Sequence, residues 1–269
     1  MATTLAASFL ALHRPGEPLL LPNAWDRGSA RLFAGLGFRA LATTSSGYAA
    51  SRGLLDGHVG REETLAHVGD LVAATDLPVS ADLEDCYGPG PEGVAETVRL
   101  AASTGLAGAS VEDWSSGPDN RIYPLDEAVE RVVAAVEAAR AAPQGLVLTA
   151  RAENHIRGVD DLDDTLRRLV AYAAAGADVV YAPGLTDLDQ IRTVVREVGV
   201  PVNVLARRGG PGVAELADAG VARISVGGSF AFAGLAAVAA AARELLEDGT
   251  LGYAEQAAVG VELASHHFR

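Results

Sequence analysis

The feature that most constrains this chain is a regular alternation of short apolar runs with longer helical stretches, sustained from residue 19 to residue 228. Strands are predicted at LLLPNA (19–24), ALATT (40–44), PVSADLE (78–84), AGASVED (107–113), LVLTAR (146–151), DVVYAP (178–183), PVNVL (201–205) and ARISVG (222–227). Between them lie helical patterns such as EETLAHVGDLVAAT, EGVAETVRLAAST, LDEAVERVVAAVEAARAA and DLDDTLRRLVAYAAAG. The third carries Leu125, Ala128, Val129, Val132, Val133 and Val136 as a stripe of helical period. Gly37, Gly105, Gly176, Gly199 and Gly220 stand where helices end before the next strand.

Eight strands, seven intervening helices and a closing one make the count of an α/β (β/α)8 TIM barrel, and 269 residues is close to that fold's usual ~250. A doubly wound open sheet is the rival. It would open with a Gly-rich turn after the first strand, and PNAWDRGSA has no G-x-G-x-x-G. No linker or low-complexity block divides the chain, so residues 1–269 are read as one barrel domain with a C-terminal helical segment over 229–269. Within that segment FAFAGLAAVAAAA (230–242) is expected to be a buried helix, too short to span a bilayer. The stretch TLGYAEQAAVGVELASHHFR follows a complete strand count and is expected to pack on a neighbouring subunit.

A formal charge of −14, from 35 acids against 21 bases, makes nucleic acid and anionic membranes poor partners. The single Cys86 cannot form an internal disulfide, and MATTLAASFLALHR lacks the basic region of a signal peptide, so a cytoplasmic location is expected. There is no lysine at all. Imine chemistry, pyridoxal phosphate attachment and a Walker-type phosphate loop are thereby excluded.

The run PVSADLEDCYG (78–88) places Asp82, Glu84 and Asp85 at the end of an apolar strand. Crowded carboxylates are costly unless a cation compensates them. In a barrel, strand C-termini line the active-site mouth. Asp82 and Glu84, two apart on an extended strand, are expected to share a side, with Asp85 pointing away or in the loop. The next strand brings Glu112 or Asp113, and the fifth ends with Arg151 and Glu153. TTSSGY (43–48) ends the second strand, and Asp56 follows in its loop. Converging carboxylates without a His–Cys cluster suit a hard cation, Mg²⁺ before Mn²⁺. Arg151 suits an anionic substrate.

The segments LLLPNAWDRGSARLFAGLGFRALATTSSGYAASRGLLDG, PVSADLEDCYG, GASVEDW, LTARAEN and PVNVLARRGG, in this order, resemble the isocitrate lyase/phosphoenolpyruvate mutase superfamily. The resemblance implies an oligomeric (β/α)8 barrel that exchanges its last helices between subunits, here a homodimer or homotetramer. It also implies Mg²⁺-dependent making or breaking of C–C or P–C bonds in 2-oxo acids and related polycarboxylates. By the same resemblance Asp82 is the direct metal ligand, while Asp56, Glu84 (where the family more often has Asp) and Glu112 hold metal-bound waters. Ser45, Ser46, Gly47 and Tyr48 fall in the segment that binds the oxo-acid carboxylate, and Arg151 matches the arginine that contacts the substrate. Arg151, Asn120 and Tyr48 are the catalytic candidates.

Departures from the family narrow the chemistry. Lyases acting on isocitrate or methylisocitrate carry a mobile K-[KR]-C-G-H loop, whereas DWSSGPDNRIYPL (113–125) has no Lys, Cys or His. By the same resemblance, Asn120 in that loop would substitute for the polar residues that mutase-like and phosphonate-hydrolysing members use there. The mutase histidine after the sixth strand is absent from YAPGLTD. Cys86 falls where the family has Gly, and is read as a small buried residue. His58 and His155 are read as supporting or surface groups. RRGG (207–210) and VGGS (226–229) are compatible with a barrel phosphate site or simply with tight turns.

The resulting expectation is a lyase or hydrolase cleaving a C–C bond of a small 2-oxo or 2-hydroxy dicarboxylic acid, oxaloacetate-like or a substituted malate. P–C chemistry on a phosphonopyruvate-like substrate and a non-catalytic dicarboxylate-binding barrel are the alternatives.

Overall fold

The computed structural model describes residues 4–115 and 120–268. Its main sheet is a closed ring of parallel strands. Strand β1 comprises two pieces, Leu19–Leu21 and Asn23–Ala24. It is followed by β2 (Leu41–Thr43), β3 (Val79–Asp82), β4 (Gly108–Glu112), β5 (Val147–Arg151), β6 (Val179–Tyr181), β7 (Val202–Leu205) and β8 (Arg223–Ser225). All eight match the sequence expectation, so the α/β (β/α)8 barrel is the fold.

Closure occurs at β1. Leu19–Leu21 pairs with β8 in the register Leu19↔Arg223, and Asn23–Ala24 pairs with β2 in the register Asn23↔Ala42. Pro22 lacks an N–H and interrupts the ladder between the two pieces. The Asn23 side chain bridges that break. Its Nδ2 donates to the Thr43 carbonyl at 2.7 Å, and its Oδ1 accepts from the Val226 and Gly227 amides at 3.0 and 2.9 Å.

A short helix, Leu5–Leu10, plugs the end of the barrel opposite the mouth. Its Phe9 is fully buried among Leu19, Leu21, Val147 and Val179. Gly108 makes room for it, since a Cβ there would come within 2.8 Å of the ring. The outer layer includes helices Arg61–Val72, Gly90–Ala102, Leu125–Ala141 and Leu162–Ala174. The five helix-ending glycines named above all have φ between 69° and 103°, the left-handed region a C-terminal stop requires. On Leu125–Ala141 the buried face includes Arg131, while Val133 is exposed. The helix turns Arg131 inward because its guanidinium is held by the Asp85 and Gly88 carbonyls.

One expectation fails. The helix Ser229–Arg243 is not buried: none of its residues is buried within the chain. It runs on through a π-turn, Glu244–Asp248, and the 20-residue helical stretch has a mean hydropathy of 1.5 in its most apolar window. It is thus long and apolar enough to cross a membrane by length and composition, contrary to the shorter reading. The next helix, Tyr253–His267, also has no buried residue and touches the barrel mainly along Arg27–Gly35. There Gly35 leaves space for His267, and Arg31 reaches the Phe268 carbonyl at 3.0 Å. On Ser229–Arg243, Phe230 meets Phe33 at 5.7 Å and the helix touches Ser45–Ser51, but its remaining apolar surface is left open on the single chain, which is why apolarity alone misplaced it.

Candidate active site

The C-terminal ends of β3, β4 and β5 bring three of the expected residues together. Asp82 ends β3, Glu112 ends β4 and Arg151 ends β5, with Glu112 and Arg151 directly opposite in the parallel register. The Arg151 guanidinium is the hub. It lies 2.9 Å from Asp82 Oδ1, 3.1 Å from Glu112 Oε2 and 2.9 Å from Glu153 Oε1. Asp82 Oδ2 accepts from the Ser45 amide at 3.3 Å and the Ser45 hydroxyl at 3.1 Å. Thr43 Oγ1 accepts from the Asp82 amide at 2.8 Å and fixes the strand end.

Glu84 departs from the strand argument. The strand stops at Asp82, and Glu84, Cys86 and Tyr87 take φ of 49°, 67° and 59°. Non-glycine residues occupy that left-handed region only under constraint, and such strain concentrates at functional sites. Alternation along an extended chain therefore does not set the direction of Glu84. Its buried carboxylate is held by the Tyr87 hydroxyl at 2.9 Å, which also meets Thr64 at 3.1 Å. Asp85 lies in the same loop and is structural: it accepts from Tyr123 at 2.9 Å and from the Tyr87 amide at 3.0 Å. Cys86 is fully buried, and burial pushes its thiol up, far from a working acid.

Helix Ser45–Ser51 starts directly after β2. Thr44 caps it through the Gly47 amide at 3.2 Å, so that N–H is already committed. A Cβ on Gly47 would lie 2.6 Å from Thr44 Cγ2, so no larger residue fits there without displacement. Ser46 lines the mouth. Tyr48, about 200° further round the helix than Ser46, does not: its hydroxyl donates to Glu63 at 3.2 Å and its ring stacks on His67 at 3.7 Å. The expected catalytic placement of the Tyr48 side chain is therefore corrected. The residue was read from a strand end, whereas it sits on a helix that turns it outward.

Two adjoining cavities open at the mouth. One, of about 300 Å³, is lined by Ser45, Ser46, Asp56, Asp82 and Arg151 on one side, and by groups of β7 and β8 on the other. The second, of about 670 Å³, is lined by Asp56, Glu84, Glu112, Asn120, Glu153 and Arg157, among others. Asp56 and Arg151 belong to both. Asn120 is exposed with φ 40° and follows the segment 116–119 of the expected gating loop, which lies outside the described residues. His58 also lines the second cavity, while His155 Nδ1 faces Asp160 at 3.4 Å.

The acids disturb one another. Burial, then Asp82, pushes Glu84 up to about 8. Burial and Glu153 push Glu112 well above the usual carboxylate range, with Arg151 pulling the other way. Crowding by protein atoms and then the Asp82 charge raise Asp56. Arg151 itself is held well above its ordinary value by its acidic neighbours, which outweigh its burial, and stays charged.

Among the described residues no group of three His, Cys, Asp or Glu is placed to hold a metal ion by itself. The Arg151 guanidinium stands among the carboxylates instead. Mg²⁺ needs only one or two carboxylates and completes its shell with water and substrate oxygens. An all-oxygen set of mutually repelling acids fits such a cation.

Sequence reasoning placed Glu153 at the end of the fifth strand without a role, and it passed over Arg157 altogether. Arg157 reaches Glu153 and Glu112 at 3.5 and 3.7 Å and stacks over Trp114 at 4.3 Å, with no local signal. Behind them a buried tie joins Asp113 to Tyr172 (2.5 Å), Arg168 (3.0 Å) and the Glu153 amide (2.8 Å).

Comparison with known proteins agrees with this geometry. The phosphoenolpyruvate phosphomutase family model matches residues 9–246. A crystal structure of a Burkholderia cenocepacia J2315 protein, provisionally named a lyase/mutase, is 54% identical with a TM-score of 0.89, covering 93% of this chain and 90% of that one. The 2,3-dimethylmalate lyase structure is 28% identical with a TM-score of 0.83, covering 94% and 90%. The 2-methylisocitrate lyase of Shewanella oneidensis is 31% identical over 194 residues, 69% of this chain and 65% of that protein. With the barrel, the strand-end acids and the arginine hub in place, the chain belongs to the isocitrate lyase/phosphoenolpyruvate mutase superfamily of enzymes.

Proposed function

We propose that this enzyme cleaves a carbon–carbon bond of a small 2-oxo or 2-hydroxy dicarboxylic acid with the help of Mg²⁺, Mn²⁺ being the alternative ion. The observation that carries the reading is the Arg151 hub: one permanent cation among Asp82, Glu112 and Glu153 at three adjacent strand ends. Asp82 would hold the metal directly, with Asp56, Glu84 and Glu112 around its water shell. When bound, the cation polarises the 2-oxo group and stabilises the enolate charge that bond cleavage leaves behind. A chain without lysine has no imine route to the same stabilisation.

The protein's own groups orient the substrate. Ser46 presents its hydroxyl at the start of helix Ser45–Ser51, where anions are favoured, while Ser45 keeps Asp82 in place. Arg151 offers its charged edge to the substrate's carboxylate or oxo oxygen. Asn120 stands over the second cavity and would contact the departing portion.

A screen of 2-oxo and 2-hydroxy acids with and without MgCl₂ tests this reading. Metal-dependent C–C cleavage is the expected result, and saturable binding without product would identify a binding barrel instead. P–C chemistry is favoured by the family model's description, and phosphonopyruvate belongs in the same screen. Against it, YAPGLTD offers Pro183 and Gly184 rather than a histidine after β6.

A further inference from the structure

The smaller mouth cavity has walls of opposite charge. Its β2–β5 wall carries Asp56 and Asp82 beside the ion-paired Arg151, and its β7–β8 wall carries Arg207 and Arg223. Neither of the last two has a carboxylate partner among the described residues. Arg223 is buried, and its three contacts are neutral: Asn203 Oδ1 at 2.9 Å, Thr149 Oγ1 at 3.0 Å and His13 Nε2 at 3.2 Å. Burial, then Arg223 itself, pushes His13 down to about 3, so that ring adds no counter-charge. Arg207 is exposed, two residues beyond β7, and its guanidinium has no bonding partner among the described residues.

This is out of pattern for the site. Arg151, Arg157 and Arg168 all contact carboxylates at 3.7 Å or less, in a chain with 35 acids and 21 bases. Burying the Arg223 guanidinium without an anion is costly unless counter-charge arrives from outside, and the exposed Arg207 at the same cavity is left free to receive it. An arginine fork suits a carboxylate better than a lysine would.

We infer that Arg207, over the positive floor set by Arg223, binds a second carboxylate of the substrate, remote from the end held at Ser46 and Arg151. The inference rests on the oxo-acid reading above and adds the residue that selects the substrate class. The substrate is an acid anionic at both ends, lying across the mouth from the β2–β5 wall to the β7–β8 wall. Arg207 distinguishes it from a monocarboxylate of the same length.

Calorimetry on the full chain with MgCl₂ tests this with malate and 2-hydroxybutyrate, which differ by a carboxylate in place of a methyl group. Pyruvate reports separately on the oxo-acid end. Wild type is expected to prefer malate by at least about tenfold, and Arg207→Gln to lose about ten- to hundredfold in malate affinity. Binding of 2-hydroxybutyrate and pyruvate should be unchanged in that variant, and Arg207→Lys should recover part of the preference. Wild type without a preference for malate, or Arg207→Gln retaining it, overturns the inference. Failure of pyruvate to bind wild type overturns the oxo-acid reading, while a malate preference abolished in Arg207→Gln would still support the second-carboxylate site.

Discussion

Arg151 and Asp82 face each other at 2.9 Å although 69 residues separate them in the chain. The pair joins β3 to β5 across the intervening β4, whose Glu112 meets the same guanidinium. Its function is best tested through Asp82. Asp82→Asn keeps the shape and the contact with Ser45 while removing the charge. Activity dependent on a divalent cation should be lost. The rise in melting temperature that MgCl₂ gives the wild type should disappear as well, because ligand that binds only the folded state stabilises it by mass action. The metal-free variant should fold normally, since fewer crowded charges repel. Full activity, or an unchanged MgCl₂ response, would refute the proposed metal site.

The ring of strands was readable because buried parallel strands appear as short apolar runs and their helices stop at glycine. Asp82, Glu112 and Arg151 were readable for the related reason that they terminate such runs. Glu84 was not, because the strand stops at Asp82 and Glu84 itself takes φ 49°. Tyr48 was misdirected because a helix begins at Ser45, inside what reads as a strand end. Arg157, Arg168, Arg207 and Arg223 gain their meaning from residues distant in sequence, which no local period encodes. The exposed helix Ser229–Arg243 misled for the opposite reason: apolarity reports that a face needs a partner, not which chain supplies it.

Glu84 makes a pH prediction. In the unfolded chain its carboxyl has the ordinary value of 4.5, and in the folded chain it is raised to about 8. Between those values the unfolded chain releases a proton that the folded chain retains. The stabilisation is thus complete below pH 4.5 and is lost as pH rises through about 8. Metal-free wild type should therefore lose melting temperature across this window more steeply than Glu84→Gln. Asp56 and Glu112 contribute the same sign in both proteins, so the difference isolates Glu84. Parallel curves for the two proteins in chelator would refute the assignment.

Cys86→Ser should keep most of the activity. The side chain is fully buried and burial raises its thiol, so it is in no state to deliver a proton. A modest loss of stability is expected from placing a hydroxyl in the core, about 1–3 kcal/mol if it finds no partner. Turnover measured at saturating substrate separates the two effects. A fall of several orders of magnitude with unchanged metal affinity would make Cys86 the acid after all.

Asp113→Ala should be among the most destabilising single changes. It leaves the buried Arg168 without its inner partner at 3.0 Å and removes the acceptor for Tyr172. Breaking a buried pair by deleting one member costs about 3–5 kcal/mol. Urea unfolding monitored by circular dichroism measures it, and a loss below about 1 kcal/mol would show that water repairs the site. Glu153, whose amide donates to Asp113 at 2.8 Å, would also lose its anchor, so turnover should fall in whatever fraction remains folded.

The C-terminal helices carry the prediction about assembly. Leu235, Val238, Leu246, Leu251, Val259 and Val261 are each more than half exposed on the isolated chain. At about 25 cal/mol per Å² of apolar surface, covering such a stripe strongly favours association. A second copy of the chain is the proposed cover, in a homodimer or homotetramer of closed symmetry. Size-exclusion chromatography with light scattering at low micromolar concentration should return a mass of two or four chains. Deleting residues 249–269 should shift the particle toward monomer and lower its melting temperature, because each tail would then no longer cover its partner's exposed helix. Leu246→Glu, at 84% exposure, offers a milder version that leaves the barrel untouched and should weaken the oligomer alone. A monomeric, fully active wild-type protein would rule out the exchange and leave the apolar helix Ser229–Arg243 to a different surface, a membrane included.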